Sequence, residues 1–462
     1  MSNRSLAFNA ERLLQILRSF PSVNSYVVGF SGGADSTALL HALSKTQGQL
    51  DNPVSAVHIN HGIHPDANHW QLQCESFCHQ HSIKLTCLKI ELKNRSGKGL
   101  EAEARHLRYE AISALLGPGD CLLTAHHADD QAETLLLNLM RGSGVDGLSA
   151  MPESRPLGAG FLQRPLLRFK NSALMAYLHE NNIQWSEDPS NQYLNHDRNF
   201  VRHEVIPLLE QRWPDVCQRL LLTRDAMTDS RSLLEDLADE FITANLAHPH
   251  VLGITPQCLA KPELFRLVIR RWMKQSTVPG IPAYKLDTFC NQVKSAGSDH
   301  RISVHWGGWI LRWYMNQLWL HADTEILPCP AVKWLRGENT VDLGADVGQL
   351  VLWAGNKAEQ RHSNHPVGEF SVAGRINTQD ALFSQGGFHK SLKKLFQASN
   401  IPPWLRDSIP LCKLDGELVA MGDWCFNEQF ASWLSQNHLS LKWRPKHPLL
   451  QFILKQQHPV IH

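Results

Sequence analysis

Short apolar runs alternate with helix-like segments through the first 140 residues of the chain. The apolar runs have the length and composition of buried β-strands, and the segments between them have helical spacing. The strand-like runs are at residues 26–30, 54–59, 83–90 and 121–124, and the helix-like segments are at 34–46, 67–81, 100–116 and 127–140. This alternation predicts an α/β domain with a doubly wound parallel sheet, in which ligands bind beyond the carboxyl ends of the strands.

Beyond this region the pattern changes twice along the chain. Pro207 and Pro214 interrupt it, the segment from 216 to about 275 is helical in pattern, and residues 327–330 contain two prolines that are typical of a linker. We therefore predict three domains. They are the α/β domain at 1–215, a helical middle domain at 216–330 and a small α+β C-terminal domain at 345–462.

Composition excludes several classes of protein. Hydrophobic residues make up 43% and charged residues 19% of the 462 residues, which excludes wholesale disorder. Because 45 basic residues face 44 acidic ones, a uniformly basic nucleic-acid coat is excluded, although a local basic surface is not. The ten cysteines form no Cys-x-x-Cys pair and no apolar run reaches the length of a membrane span, so we expect a cytoplasmic protein.

The first motif that carries chemistry is Ser-Gly-Gly-Ala-Asp-Ser at residues 31–36, between a predicted strand and a predicted helix. A strand that turns directly into a helix presents unpaired backbone N–H groups at the positive end of the helix dipole. No lysine precedes Ser36, so this is not a Walker A loop, and a carboxylate at Asp35 beside phosphates is explained by a bridging Mg²⁺. The alternative is a Gly-Gly turn in which Asp35 and Ser36 cap the helix.

A second group of polar residues follows the fourth predicted strand. If a helix begins near His127, then His126, Asp130 and Glu133 lie on one helical face at positions i, i+4 and i+7. Two carboxylates on one face can bind an ammonium group. Helix capping is the competing explanation, because acidic residues also suit the start of a helix.

Two further groups have simpler explanations. Arg105 and Arg108 share a helical face with Glu101, and an exposed ion pair is the plainer interpretation. The end of the second strand raises the alternative of a zinc site, which the Cys-x₃-Cys spacing argues against. The residues in question are His58, His61, His64, Cys74 and Cys78.

Taken together, these motifs resemble those of the tRNA(Ile)-lysidine synthetase family. The loop at 31–36 is similar to the PP-loop of N-type ATP pyrophosphatases. The stretch from 188 to 202 is more distinctive of the lysidine synthetases. The segments that carry the resemblance are 31–36, 61–62, 101–109, 125–134, 141–144, 164–167, 188–191, 198–202, 389–396 and 401–411.

The resemblance implies a reaction in two steps. ATP would adenylate the C2 oxygen of the wobble cytidine in tRNA(Ile) with a CAU anticodon, and the ε-amine of free L-lysine would then displace AMP. The ATP-binding residues that it implies are Ser31, Gly32, Gly33, Ala34, Asp35 and Ser36, with Mg²⁺ at Asp35. The catalytic residues that it implies are Asp35, Arg105, His126, Asp130 and Glu133, of which Asp130 and Glu133 would bind lysine.

Basic residues outside this site are predicted to bind tRNA. The segment 266–274 places basic groups at positions i, i+4, i+5 and i+8, although charged helices of this kind are also explained by solvent exposure alone. The predicted tRNA-binding residues are Arg198, Arg202, Arg270, Lys393, Lys394 and Arg406. We also consider a homodimer.

Three other functions compete with this interpretation. A tRNA thiolase is disfavoured because the paired cysteines of the common sulfur-transfer routes are missing. An amidotransferase synthetase would need a glutaminase domain or partner. A non-catalytic tRNA-binding protein would not need Asp35, Asp130 and Glu133.

Overall fold

The computed structural model describes most of the chain in two compact units, Met1–Leu233 and Leu234–His462. The described residues are 7–60, 62, 65–90, 100–187, 193, 196–295, 302–324, 326–354, 366–375, 382–385 and 388–458. Among them, no helix has both the length and the apolar character needed to cross a bilayer. The three predicted domain boundaries stay predictions.

A six-stranded sheet forms the centre of the first unit. Its strands are β1 (Ser25–Gly29), β2 (Val54–Asn60), β3 (Lys84–Lys89), β4 (Asp120–Leu123), β5 (Ser154–Leu157) and β6 (Gly160–Gln163). The order in the sheet is β3-β2-β1-β4-β6-β5, and only the edge pair β5–β6 is antiparallel. The predicted doubly wound parallel sheet is confirmed.

The helices of this unit precede, separate and follow the strands in sequence. They are α1 (Ala10–Ser19), α2 (Ala34–Thr46), α3 (Ala67–Gln80), α4 (Leu100–Ser113), α5 (Ala128–Met140), α6 (Val145–Leu148), α7 (Asn171–Glu180), α8 (Asp197–Phe200), α9 (Ile206–Arg212) and α10 (Val216–Asn245). The last of them, α10, continues past Leu233 into the second unit. A π-helical turn, Val201–Val205, joins α8 to α9. The predicted segments 34–46 and 127–140 correspond to α2 and α5 within one residue.

The register of the two central strands positions the site. Tyr26 of β1 pairs with Val54 on one side and with Cys121 of β4 on the other. The chain leaves β1 through α2 toward β2, whereas it leaves β4 through α5 toward the other edge of the sheet. Such a reversal opens a crevice at the carboxyl ends of the two strands.

The second unit contains antiparallel sheets and helices. One sheet has the order β7-β8-β11-β10-β9 and consists of β7 (Leu246–His248), β8 (Val251–Gly253), β9 (Ile302–Trp306), β10 (Trp309–Tyr314) and β11 (Gln317–Ala322). The helices beside it in sequence are α11 (Pro256–Leu259), α12 (Pro262–Gln275) and α13 (Ala283–Ser295). The middle domain was predicted as helical, with a mixed segment rich in Trp and Gly at 276–321, and the sheet of β9, β10 and β11 in that segment is a difference from the helical prediction.

The physical reason for the sheet lies in its tryptophans. Trp306 and Trp313 are buried, and Trp313 packs in the same core as Phe265 of α12. Burying large aromatic side chains supplies much of the stability of a small sheet. These tryptophans are therefore core residues rather than exposed stacking groups.

The C-terminal part of the unit is α+β. Its strands are β12 (Val332–Lys333), β13 (Thr340–Asp342), β14 (Gln349–Trp353), β15 (Phe370–Ala373), β16 (Leu382–Gln385), β17 (Phe388–Ser391), β18 (Leu411–Leu414), β19 (Glu417–Met421), β20 (Cys425–Phe426) and β21 (Ser440–Arg444). They form the sheets β12-β15-β18-β19-β20, β13-β14-β21 and β16-β17. The helices are α14 (Gly344–Val347), α15 (Leu392–Ala398), α16 (Glu428–Gln436) and α17 (Pro448–Gln457).

Candidate active site at the carboxyl edge of the parallel sheet

The loop at residues 31–36 turns β1 into α2. Gly32 adopts a φ of +84°, and a Cβ there would lie 3.0 Å from the Sγ atom of Cys74, so both the backbone and the space favour glycine. The hydroxyl oxygens of Ser31 and Ser36 lie 3.0 Å apart, and Ser36 donates to the carbonyl oxygen of Gly33. The loop is thus held by its own short hydrogen bonds.

The start of α2 is open at its first amide groups. The N-cap residue Gly33 makes no side-chain capping hydrogen bond, so the first N–H groups of the helix point outward at the positive end of its dipole. This arrangement suits a phosphate. The alternative prediction, that Asp35 and Ser36 only cap the helix, finds no support at the cap itself, because Ser36 bonds inside the loop and Asp35 bonds elsewhere.

Asp35 faces the start of α5 and α7. Its Oδ1 atom accepts a hydrogen bond of 2.8 Å from the side chain of Asn171, and its Oδ2 atom lies 3.5 Å from Nε2 of His127. Its side chain is 36% exposed. Asp35 therefore joins the loop after β1 to the groups that follow β4.

His127 lies at the centre of three carboxylates. Its Nδ1 atom is 3.4 Å from Oδ2 of Asp129, and its Nε2 atom is 3.5 Å from Oδ2 of both Asp35 and Asp130. Burial alone would lower the pKa of this buried imidazole, but the carboxylates of Asp129, Asp35 and Asp130 outweigh burial and raise the pKa to about 10. His127 is consequently a cation at neutral pH.

The same charges act on the acids. Burial would raise the pKa values of Asp129 and Asp130. The positive charge of His127 lowers the pKa of both carboxyl groups. The backbone N–H of Asn171 lowers the pKa of Asp129 further, and Arg198 lowers the pKa of Asp130 further. Both pKa values therefore lie below the ordinary value for aspartate. Each carboxylate also accepts a backbone N–H, from Asn171 at 2.7 Å and from His127 at 3.0 Å. Both side chains are therefore ionised.

Asp130 and Glu133 share two arginines. Arg198 donates to Oε2 of Glu133 at 2.7 Å and to Oδ1 of Asp130 at 2.8 Å. Arg202 donates to Oε1 of Glu133 at 2.6 Å and to Oδ1 of Asp130 at 3.1 Å. The side chain of Glu133 is 1% exposed, so its charge depends on these partners. We call Asp35, His127, Asp129, Asp130, Glu133, Arg198 and Arg202 the ion cluster.

The prediction that His126, Asp130 and Glu133 lie at one site is met in position, since all three belong to the start of α5 or the residues just before it. Their roles stay predictions. The two carboxylates already bind guanidinium groups, so an ammonium group would have to share or replace these contacts. Arg198 and Arg202, predicted to bind tRNA, make these same contacts.

His126 differs from its neighbour in charge. Its Nδ1 atom lies 3.0 Å from Oγ1 of Thr124. Burial and the positive charges of Arg164, Arg198 and Arg105 lower the pKa of His126, whereas the negative charge of Asp130 raises it. The lowering prevails, and the pKa is about 4. His126 is neutral at pH 7. Arg105 is exposed and lies over the ring of Tyr109, 5.7 Å from the ring centroid.

Sequence reasoning missed three members of the site. His127 was predicted to be the start of a helix and, with His126, one of two candidate bases for the lysine amine, but its three carboxylate neighbours were not foreseen. Asp129 was predicted only as a capping residue, and Asn171 was not considered. His127 and Asp129 could have been found from their position beside Asp130. Asn171 could not, because its contact with Asp35 joins residues that are 136 positions apart.

The other predicted tRNA-binding residues lie in the second unit. Arg270 is exposed on α12, whereas its neighbours on the same helix pair with acids: Arg271 with Glu235 and Asp239, and Lys274 with Glu235. Lys393 and Lys394 are exposed on α15. Their binding of tRNA stays a prediction.

Arg406 does not belong with the exposed lysines. It is 5% exposed, its Nε atom donates to the carbonyl oxygen of Ile401, and its guanidinium lies 5.7 Å from the ring centroid of Phe396. Its prediction as a surface cation is wrong, because the apolar part of the C-terminal domain packs around it. Sequence could not show this burial.

Several predicted elements lie outside the described residues, namely His61, His64 and residues 188–192. Cys74 and Cys78 are buried, and burial raises the pKa of each thiol to about 12. In the ranges that the structure describes, no three acidic, histidine or cysteine side chains are grouped to hold a metal ion.

Of the described residues, Asp35 is the carboxylate that the loop itself carries and that a magnesium ion could bind. Mg²⁺ commonly binds one or two carboxylates and completes its octahedral shell with substrate phosphates and water. Asp35 is partly exposed beside an open helix start, so its chemistry fits such an ion.

Comparison with known proteins gives matches over most of the chain. Family models match at residues 6–209 (PP-loop domain), 260–319 (TilS substrate binding domain) and 371–443 (TilS substrate C-terminal domain). The tRNA(Ile)-lysidine synthase of Methylococcus capsulatus is 35% identical over 430 residues, which are 91% of this chain and 97% of that protein.

Two further relatives agree with this match. The enzymes of the same name from Alkalilimnicola ehrlichii and Coxiella burnetii are 35% and 33% identical, over 89% and 92% of this chain and 92% and 94% of their own lengths. The family and the enzyme class that the sequence predicts are thereby confirmed. The chain belongs to the tRNA(Ile)-lysidine synthase family, in which ATP is used to form lysidine on tRNA(Ile).

Proposed function

We propose that this chain joins the ε-amino group of free L-lysine to C2 of the wobble cytidine in tRNA(Ile) with a CAU anticodon. The C2 oxygen attacks the α-phosphorus of ATP and pyrophosphate leaves. The lysine amine then attacks C2, and AMP leaves with the former C2 oxygen. The observation that supports this most strongly is the meeting of an open phosphate-binding loop and a buried pair of carboxylates at one edge of the sheet.

The loop binds the phosphates of ATP. Residues 31–36 supply the amide groups at the start of α2, and the hydroxyls of Ser31 and Ser36 point into the same turn. Asp35 would hold a magnesium ion, which would supply positive charge to the departing pyrophosphate. His127, a cation beside Asp35, keeps this carboxylate in place before ATP binds.

Lysine binds where Arg198 and Arg202 now hold Asp130 and Glu133. Asp130 and Glu133 already accept five hydrogen bonds from the two arginines, so in this proposal the ammonium group takes the place of at least one arginine, which exchanges its partner. The phosphates of a bound tRNA are the natural new partner for a guanidinium group. This exchange links lysine binding to tRNA binding.

His126 receives the proton that the attacking amine loses. It is the uncharged histidine of the pair, because burial and three arginines keep its pKa at about 4, whereas His127 is already protonated. Arg105, which lies close enough to His126 to affect its pKa, stabilises negative charge on the activated cytidine.

The reaction is tested by incubating the full chain with ATP, labelled lysine and a tRNA with a CAU anticodon. Label should enter the RNA, with one AMP formed for each lysine. The variant Asp35→Asn should lose incorporation, and the exposed control Asp51→Asn should retain it. Formation of AMP without incorporation of lysine would contradict the proposal in favour of another PP-loop enzyme.

Binding of tRNA by the C-terminal domain is tested by reversing charge on α15. The double variant Lys393→Glu/Lys394→Glu should weaken tRNA binding in a filter assay at fixed salt and leave ATP binding unchanged, because phosphate contacts dominate RNA affinity. Lys45→Glu/Lys84→Glu, two exposed lysines of the first unit, is the control for net charge. Equal tRNA affinity in both double variants would contradict this role of Lys393 and Lys394.

We also propose that the protein forms a homodimer and is located in the cytoplasm.

A further inference from the structure

Three arginines and a tyrosine are gathered beside the candidate active site. The guanidinium carbons of Arg105 and Arg155 lie 5.7 and 4.8 Å from the ring centroid of Tyr109. Arg164, 3% exposed, also interacts with Tyr109 and donates through Nη1 to the carbonyl oxygen of Pro152 at 2.7 Å. We call Arg105, Tyr109, Arg155 and Arg164 the arginine–tyrosine cluster.

Among the side chains that the structure describes, no acid matches the positive charge of this cluster. Within the described ranges of the chain, Arg105, Arg155 and Arg164 make no salt bridge, and the Nε atom of Arg164 is buried with no hydrogen-bond acceptor. Burial lowers the pKa of Arg164, and the charges of Arg155 and Arg105 lower it further. Like charges gathered in this way repel each other, and an anion would remove the repulsion.

The position of the cluster connects it to the reacting groups. Arg164 directly follows β6, so it lies at the same carboxyl edge of the sheet as the loops after β1 and β4. Arg155 lies opposite Leu162 on the antiparallel neighbour β5. Both Arg105 and Arg164 are close enough to His126 to lower its pKa.

We propose that Arg155, half-buried beside the ring of Tyr109, binds a phosphodiester group of the RNA next to the nucleotide that reacts. The inference rests on the proposed function and adds a substrate-positioning role for Arg155. A planar guanidinium fork suits the oxygens of a phosphate. Arg164 fixes the cluster to the backbone of Pro152.

ATP is the other source of phosphate in this reaction. Its binding loop follows β1, whereas Arg155 belongs to β5 and Arg164 follows β6, and both of these strands lie on the far side of β4 from β1. This order favours the RNA backbone as the ligand. The experiment separates the two sources through their KM values.

The test compares Arg155→Gln, Arg155→Lys and Arg18→Gln in the lysidine-forming reaction. For Arg155→Gln we expect the KM for tRNA to rise about tenfold. The slope of log KM for tRNA against the logarithm of salt concentration should become shallower by about one, and the KM values for ATP and lysine should be unchanged. Arg155→Lys keeps the charge and should recover part of the loss. Arg18 is exposed and bonds to Gln49 after α2, at the opposite edge of the sheet, so Arg18→Gln should behave as the wild type.

An unchanged KM for tRNA in Arg155→Gln would overturn the inference, and so would a rise in the KM for ATP alone. Thermal unfolding of each variant shows whether it is folded. If Arg155→Gln does not fold, a folded Arg155→Lys variant can still be compared with the wild type. If the wild type forms no lysidine, the proposed function itself fails. Normal lysidine formation with an unaffected Arg155→Gln variant overturns only this inference.

Discussion

The helices α2 and α5 begin at the same edge of one sheet, yet their first turns are built differently. At α2 the N-cap is a glycine that makes no side-chain hydrogen bond, and the first amide groups stay open. At α5 the first turn carries Asp129 and Asp130, and the backbone N–H of His127 donates to Asp130. The same helix dipole thus serves an incoming anion at α2 and permanent carboxylates at α5.

In the proposed function this difference divides the work of one reaction between neighbouring strands. The open helix start suits a phosphate that is released as product. The helix start filled by its own acids is a fixed negative site, and its arginine partners would have to exchange before a cationic substrate could bind there. Asp35 connects the two, because it belongs to α2 but contacts His127.

The largest effect that would sharpen this contrast is expected at Glu133. The variant Glu133→Gln leaves Arg198 and Arg202 facing a neutral group in a nearly buried position, which should cost roughly 3 kcal/mol of unfolding free energy. Lysidine formation should fall on the order of a hundredfold. Urea denaturation and the labelled-lysine assay measure the two effects.

Glu11→Gln is the matched control for this variant. Glu11 is an exposed carboxylate in the first turn of α1, so its loss should cost less than about 1 kcal/mol. A Glu133→Gln variant that is as stable as Glu11→Gln would mean that the ion cluster is not a fixed part of the fold.

A smaller effect on stability and ATP affinity is expected from substitutions at the two loop glycines. Comparing the two variants distinguishes the effect of backbone strain from the effect of lost anion contact. Gly32→Ala places a Cβ at a φ of +84° and 3.0 Å from a sulfur atom, so both stability and ATP affinity should fall. Gly33→Ala has an ordinary φ of −73° and its Cβ meets only Ser31 at 3.4 Å, so only ATP affinity should fall, by roughly tenfold. Isothermal titration and thermal melts distinguish the two variants.

If Gly33→Ala bound ATP as well as the wild type, the open start of α2 would not be the phosphate site. In that case the contrast between α2 and α5 would be one of capping alone.

The smallest effect is expected in the pH dependence of stability. In the folded chain the pKa of His127 is about 10, above its unfolded value of about 6.5, so protonated His127 stabilises the fold fully below pH 6.5. This contribution is lost as the pH rises from 6.5 through 10. The unfolding free energy of the wild type should therefore decline over that range.

His127→Gln should show a flatter profile from pH 7 to 10 when both are measured by urea denaturation. His79→Gln, which replaces a histidine in the last turn of α3, should keep the slope of the wild type. Parallel profiles for the wild type and His127→Gln would show that the three carboxylates do not hold the proton on His127.

Local pattern predicted the elements of the first unit well. The segment 34–46 matches α2, and the strand pairs around Tyr26 follow the apolar runs. Such features depend on neighbouring residues, because the hydrophobic periodicity of a strand or a helix is visible in consecutive residues of the sequence. The predicted middle domain fared less well, because alternation in the tryptophan-rich segment was not recognised as the sheet of β9, β10 and β11.

The charged partners of the site were beyond local pattern. Glu133 and Arg198 were both named as functional residues, but with separate roles, and the structure joins them at 2.7 Å across 65 positions. Arg406 was predicted to form a basic patch with Lys393 and Lys394, whereas it is buried and its surroundings in the fold are apolar.

The sequence by itself determined the first four strands of the sheet with the helices between them, the glycine-rich turn after β1 and the face shared by His126, Asp130 and Glu133, because each depends on short-range spacing. Only the tertiary structure decided which of these groups are paired, buried or protonated. Charge state depends on every group within a few ångströms and on the loss of water around it, and those neighbours come from distant parts of the chain.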